Sequence, residues 1–307
     1  MTSALRLSFG LFTILPIDRS SDARKSPPTG AASDPPPKTS ATGETATDRE
    51  QTESAQQSGP APSASVVRRA VLLAPVTGLV VATLAAVVLF AVRALIDGDV
   101  WGSMATDPPG ALVAAALAIM TVELLTGGLH LDGLADTADA IAVRGSAHRS
   151  LAVMKDSASG PMGVFAVVIF AVLATSTLAV AVTRGHGTEA LVTAVLAGRV
   201  AILWGCTQQA ARPDGLGAWV SGSVSRVQAL ALTVAVMVVP LVLGLPDDDA
   251  RLGATIAVVA AIPIGVATAW LATLSIRRRI AGITGDVLGA MAQVATVVSL
   301  VVTALAP

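Results

Sequence analysis

The sequence predicts an all-α fold: a polytopic integral membrane protein with about seven transmembrane helices. Of its 307 residues, 53% are hydrophobic and only 13% charged, where a soluble domain carries about 25% charged residues. The apolar residues gather in long runs, such as 163–182 and 229–245. Runs of about 17–25 apolar residues are what a hydrocarbon layer roughly 30 Å thick demands of a spanning helix. The basic residues are divided unevenly between the loops, as the positive-inside rule expects. These observations exclude a soluble enzyme. A formal net charge of −1, from 20 Lys+Arg and 21 Asp+Glu, provides no basic field, so no nucleic-acid partner is expected. The single cysteine, Cys206, excludes an intrachain disulfide framework and is read as a packing residue. Residues 1–10 lack the apolar core and cleavage site of a secretory signal peptide.

In chain order, residues 1–19 hold a short apolar segment, Leu5 to Pro16, too short to span and suited to a helix in the membrane interface. Residues 20–65 carry seven of the 17 prolines and no Val, Ile, Leu, Met, Phe or Trp. Such a stretch cannot bury enough apolar surface to offset its ordering entropy, and a disordered insert is expected. Residues 66–307 are expected to form the transmembrane domain that carries whatever catalytic chemistry the chain has, with spans at roughly 70–96, 110–126, 163–183, 188–206, 227–245, 252–276 and 287–306. With the N-terminus in the cytoplasm, 16 Lys/Arg fall on the cytoplasmic side and only Arg93, Arg184 and Arg251 opposite. The bias places the N-terminus inside and the C-terminus outside a cell membrane. Trp101, Trp204 and Trp219 fall near the predicted interfaces and read as belt anchors.

The chemistry concentrates at the end of the second span. Asp132, Asp136 and Asp139 fall at i, i+4 and i+7, on one helical face, with nothing basic three or four residues away. Their mutual repulsion calls for a hard divalent cation, and Mg²⁺ is the expected cofactor, because it takes one or two carboxylates and leaves positions open for substrate phosphates. Gly127, Gly128 and Gly133 let backbone approach a ligand. Glu123 is an ionisable group at the end of a span, a functional candidate by default. His130 is a candidate general base, phosphate contact or metal ligand. Lys155, followed by Asp156 and small residues, is a candidate phosphate contact. Asp286, after Thr284 and Gly285, opens the last span on the same membrane side as the aspartates. The preceding triplet of Arg277, Arg278 and Arg279 reads as topogenic. Arg199 interrupts the fourth span and needs a partner: Glu123, the aspartate face or a substrate phosphate.

The segment Thr126-Gly127-Gly128-Leu129-His130-Leu131-Asp132-Gly133-Leu134-Ala135-Asp136-Thr137-Ala138-Asp139 resembles the signature of the cobalamin synthase family, the adenosylcobinamide-GDP ribazoletransferases. The resemblance continues through Met154-Lys155-Asp156 with Gly160 and Gly163, through Gly198-Arg199, and through Thr284 to Ala290. Phe12 to Pro16 also fits the family's opening. Only 20–65 stands apart, as an insertion. At Leu131 many members carry an acidic residue, so that side chain receives no role.

The resemblance implies an Mg²⁺-dependent transferase that uses adenosylcobinamide-GDP and α-ribazole, or its 5′-phosphate, and releases GMP. On this reading Asp132, Asp136 and Asp139 hold the metal, Lys155 and Arg199 balance the diphosphate charge, and His130 or an aspartate takes the nucleophile's proton. Glu123, Gly127, Gly128, Asp156, Thr284 and Asp286 are expected to touch substrate. The lipid bilayer is the remaining partner, and a homo-oligomer is compatible with the sequence. A CDP-alcohol phosphotransferase is disfavoured because Gly133-Leu134-Ala135-Asp136 lacks the required Arg. A prenyltransferase is disfavoured because only one dense aspartate motif is present. An ion-coupled transporter would place its carboxylates near the bilayer midplane, not at a helix end.

Overall fold

The computed structural model describes residues 2–13, 63–97, 108–156, 158–243 and 249–305. Nearly all of the 20–65 insert, as well as Trp101 and Pro307, lies outside them. Among the described residues the regular elements are all helices: α1 (Thr2–Phe12), α2 (Ala64–Leu72), α3 (Ala74–Asp97), α4 (Pro108–Leu125), α5 (Leu129–Ala142), α6 (Ala147–Val153), α7 (Pro161–Thr183), α8 (Gly187–Gly205), α9 (Gly215–Val220), α10 (Arg226–Leu243), α11 (Asp249–Ala272), α12 (Leu274–Arg279) and α13 (Gly285–Ala304). Seven of these contain segments long and apolar enough to cross a membrane: Ala74–Ile96, Pro108–Leu125, Pro161–Thr183, Gly187–Gly205, Arg226–Leu243, Thr255–Ala272 and Gly285–Ala304. The expected all-α polytopic architecture is the one observed.

Two expected spans are cut short. The first breaks at Leu73, where α2 ends and α3 begins. Pro75, the second residue of α3, has no N–H to continue the ladder, so the chain restarts there. The sixth ends at Ala272, and Thr273 separates it from the basic helix α12.

The bundle is organised around α8 and α13. In α8, 83% of the spanning residues are buried, and in α13, 72%, against 22% in α3 and α10. Both inner helices are rich in Ala, Gly, Ser and Thr, which let backbones approach where lipid supplies no hydrophobic drive. At Gly198 an added Cβ would lie 2.7 Å from Thr296 Oγ1. Helix α13 packs against α11, α8, α5 and α7, while α3 and α4 pair on the outside. Trp204, expected as a belt anchor, instead packs edge-on against Trp270 at 6.4 Å, with its indole N–H donating to Thr233 Oγ1 (3.1 Å). Cys206 is buried and free, as read from the sequence.

Candidate active site

The polar segments that follow α4, α8 and α11 converge at one end of the bundle. Gly127 and Gly128, at φ 62° and 67°, adopt the left-handed backbone that glycine permits and turn the chain from α4 into α5. Helix α5 then crosses α13 backbone to backbone. A Cβ on Gly133 would lie 2.6 Å from the Asp286 carbonyl oxygen, and one on Gly289 would lie 3.1 Å from that of His130. This crossing brings the α5 aspartates beside Asp286. The loop after α8 is pinned to the turn before α13, because Ala211 N donates to Ile283 O and Ile283 N donates to Gln209 O, both at 2.9 Å. Thr284 caps α13, its Oγ1 accepting from Val287 N (3.3 Å).

A cavity of about 110 Å³ lies at this junction, lined by His130 and Asp132 of α5, Arg212 of the pinned loop, Asp286 of α13, and Leu11 and Phe12 of α1. Arg212 Nη2 stands 3.6 Å from Asp286 Oδ2. Burial, then the charges of Asp132, Asp286 and Asp139, push the Asp136 carboxyl up to about 6, against the opposing pull of Arg212. Among the described residues no three His, Cys, Asp or Glu side chains form a ready metal cage. Mg²⁺ requires only one or two carboxylates, and the crowding at Asp136 together with an Asp286 Oδ2 that accepts no hydrogen bond suits such a cation.

His130 is buried, and its Nε2 accepts an N–H from Arg199. Burial, and then the Arg199 charge, hold the imidazole well below its usual range. An acceptor at Nε2 places the proton of the neutral ring on Nδ1.

Several expected site residues lie elsewhere. Asp139 is turned under the N-terminus of α7, where its carboxylate accepts from Gly160 N (2.6 Å) and Gly163 N (2.9 Å). A Cβ on Gly160 or Gly163 would lie 2.5 Å from a carboxylate oxygen of Asp139. The i, i+4, i+7 spacing is real, but Asp139 serves as a helix cap, favoured by the positive helix end. Lys155 donates to exposed Asp214 (2.8 Å) and does not line the cavity. Asp156 accepts from Ala158 N (3.1 Å) in the turn leading to α7. Arg199 is only 2% exposed and lies behind His130, with Phe12 stacked at 5.8 Å. Glu123 accepts from Gln293 Nε2 (2.9 Å), and it shares with Arg199 and His130 a void of about 20 Å³, room for one water.

The Arg triplet is more than topogenic. Arg279 donates to the carbonyls of Ala140 (3.0 Å) and Val143 (2.8 Å), closing the C-terminus of α5, and Arg277 stacks 3.9 Å over Trp270. Arg212 and Gln293 also stand among these polar groups, and no motif in the sequence singles them out. Gln293 carries no sequence signal beyond a polar residue inside an apolar helix. In the sequence Arg212 is one of the cytoplasmic-side charges, set in a Pro/Gly loop on the aspartates' side of the bundle.

The sequence profile of the cobalamin-5-phosphate synthase family matches residues 58–304. The chain belongs to this family. Among its relatives, an adenosylcobinamide-GDP ribazoletransferase of Frankia casuarinae is 33% identical over 77% of this chain and 85% of the relative. One of Pseudomonas aeruginosa is 34% identical over 77% and 87%. One of Bradyrhizobium diazoefficiens is 39% identical over 62% and 70%. No solved structure matches the chain. Every polar residue of the cavity lies within the part matched to the cobalamin-5-phosphate synthases, whereas most of 20–65 precedes it.

Proposed function

We propose that this chain joins adenosylcobinamide-GDP to α-ribazole, or to its 5′-phosphate, with release of GMP, the nucleotide-loop assembly step of vitamin B12 biosynthesis. The observation that carries the reading is that the family match runs through α5, the Arg212 loop and α13, the elements that build the acidic cavity. A ribose hydroxyl oxygen forms a bond to the cobinamide-side phosphorus, the bridging P–O bond to GMP breaks, and the hydroxyl proton passes to a carboxylate. Asp136 and Asp286 are the residues that would hold Mg²⁺, which supplies charge neutralisation on the diphosphate when bound. Asp132, the exposed carboxylate at the cavity, takes the hydroxyl proton. His130, oriented through Nε2 by Arg199, donates from Nδ1 toward a phosphate oxygen. The positive-inside bias supports a cytoplasmic location for this end of the bundle in a cell membrane.

The test is incubation of the purified protein in lipid nanodiscs with adenosylcobinamide-GDP and α-ribazole, with and without Mg²⁺, following GMP. GMP should form only when both substrates and the metal are present. Asp132→Asn should lower kcat about 100-fold or more while leaving both KM values little changed. Absence of GMP with every divalent cation tried would overturn the reading.

A further inference from the structure

We infer that Arg212 is the side chain that grips a phosphate of the diphosphate substrate, and that Asp286 holds it ready until the phosphate arrives. This inference rests on the transferase reading above. Arg212 and Asp286 are each about one-fifth exposed (18% and 20%), and their closest approach, 3.6 Å, is too long for a hydrogen bond. Arg212 Nη1 and Asp286 Oδ2 are both buried without a hydrogen-bond partner. A buried guanidinium N–H left unpaired is costly, and in a native fold it calls for a missing partner. An anion small enough for the cavity Arg212 lines would supply that partner, and a phosphate accepts two parallel N–H bonds from the planar fork of arginine.

Four other cations at this end are engaged elsewhere. Lys155 is paired with Asp214, Arg279 caps α5, Arg277 stacks on Trp270, and Arg199 lies behind His130. The mount of Arg212 is rigid. Backbone hydrogen bonds to Ile283 fix the residues before it. After it, a Cβ on Gly217 would lie 2.7 Å from Gly285 N, so α9 is pressed onto the start of α13. A phosphate entering here passes the carboxylates of Asp132 and Asp286, and Arg212 is the cation lining the cavity that offsets their charge before the metal is counted.

The experiment compares wild type, Arg212→Ala and Arg212→Lys as full chains in nanodiscs, with pyrophosphate as the binding probe and initial rates measured with each substrate varied. Pyrophosphate affinity should fall about 10- to 100-fold in R212A. In R212K, which keeps the charge but loses the fork, it should fall less. KM for adenosylcobinamide-GDP should rise with that loss while KM for α-ribazole stays the same. If R212A does not elute as wild type on size exclusion, R212K carries the comparison. Wild type that fails to bind pyrophosphate, variants that bind it equally, or a KM change confined to α-ribazole would each overturn the inference. If wild type binds pyrophosphate but makes no GMP, the transferase reading fails while the binding comparison still decides the role of Arg212.

Discussion

A guanidinium buried in a membrane span needs a partner, and for Arg199 that partner is an imidazole. The contact fixes which His130 nitrogen carries the proton, and in the proposed mechanism Arg199 acts through His130 as a positioning residue. Arg199→Met removes both the donor and the charge that help hold His130 neutral. Turnover is expected to fall about 10- to 100-fold, the usual scale for a supporting-shell loss. Burial, the larger cause of the His130 shift, remains, but without the Arg199 charge the ring should titrate at higher pH than in wild type, and the acid side of the pH–rate profile should move with it. Arg199→Lys, which keeps a charged donor, should restore the wild-type profile; a Met variant with an unchanged profile would count against the positioning role. Asp136 makes a second residue-scale prediction. Its carboxyl is raised to about 6, so the metal-free fold holds this proton more tightly than the unfolded chain does. That contribution is complete below about pH 4 and is lost as pH rises through about 6. Mg²⁺ needs the ionised form, so its affinity should decline as pH falls below about 6 and level off above 7. Thermal shifts with and without Mg²⁺ at pH 5, 6, 7 and 8 measure this, and equal shifts throughout would disprove it.

At the scale of helices, Asp139 separates two readings that sequence spacing alone cannot. As the cap of α7 it should stabilise the fold, and Asp139→Ala is expected to cost ~1–3 kcal/mol while the folded protein keeps its Mg²⁺ affinity. Asp136→Asn should do the reverse. A Tm series combined with Mg²⁺ titration of both variants tests the pair, and a lost metal response in Asp139→Ala would return that residue to the metal site. The helices themselves were largely legible, because a run of apolar residues specifies a span whatever its neighbours are. Their ends were less so: Pro75 sets one break locally, but nothing in Thr273 announces another. The α8 span, interrupted by Arg199, looked weakest by hydropathy and is the most buried of all, since small residues and a buried polar cluster suit a helix surrounded by other helices.

For the whole molecule, the alternation of seven spans places the polar segments after α4, α8 and α11 at one end, together with most of the basic residues. A tag on Pro307 should therefore be reachable only from outside the cell, and labelling from the cytoplasmic side would overturn the topology. Residues 20–65 lie mostly ahead of the family match; replacing 20–62 with a short Gly/Ser linker should preserve kcat in vitro, and a tenfold loss would assign the insert a catalytic part. Composition and hydropathy determined the membrane class, the number of spans and the end at which chemistry gathers, because those properties depend on the bilayer acting on each segment separately. The signature motif in α5 located the carboxylates for the same reason: one helix face is a local property. Only the tertiary structure decided the partners. The Gly133–Gly289 crossing brings Asp286 to Asp132 and Asp136, the N-terminus of α7 engages the Asp139 carboxylate, Arg199 turns toward His130, and Arg212 faces the cavity. Each of these pairings joins residues more than twenty positions apart, and no periodicity along the chain encodes contacts that exist only once helices pack.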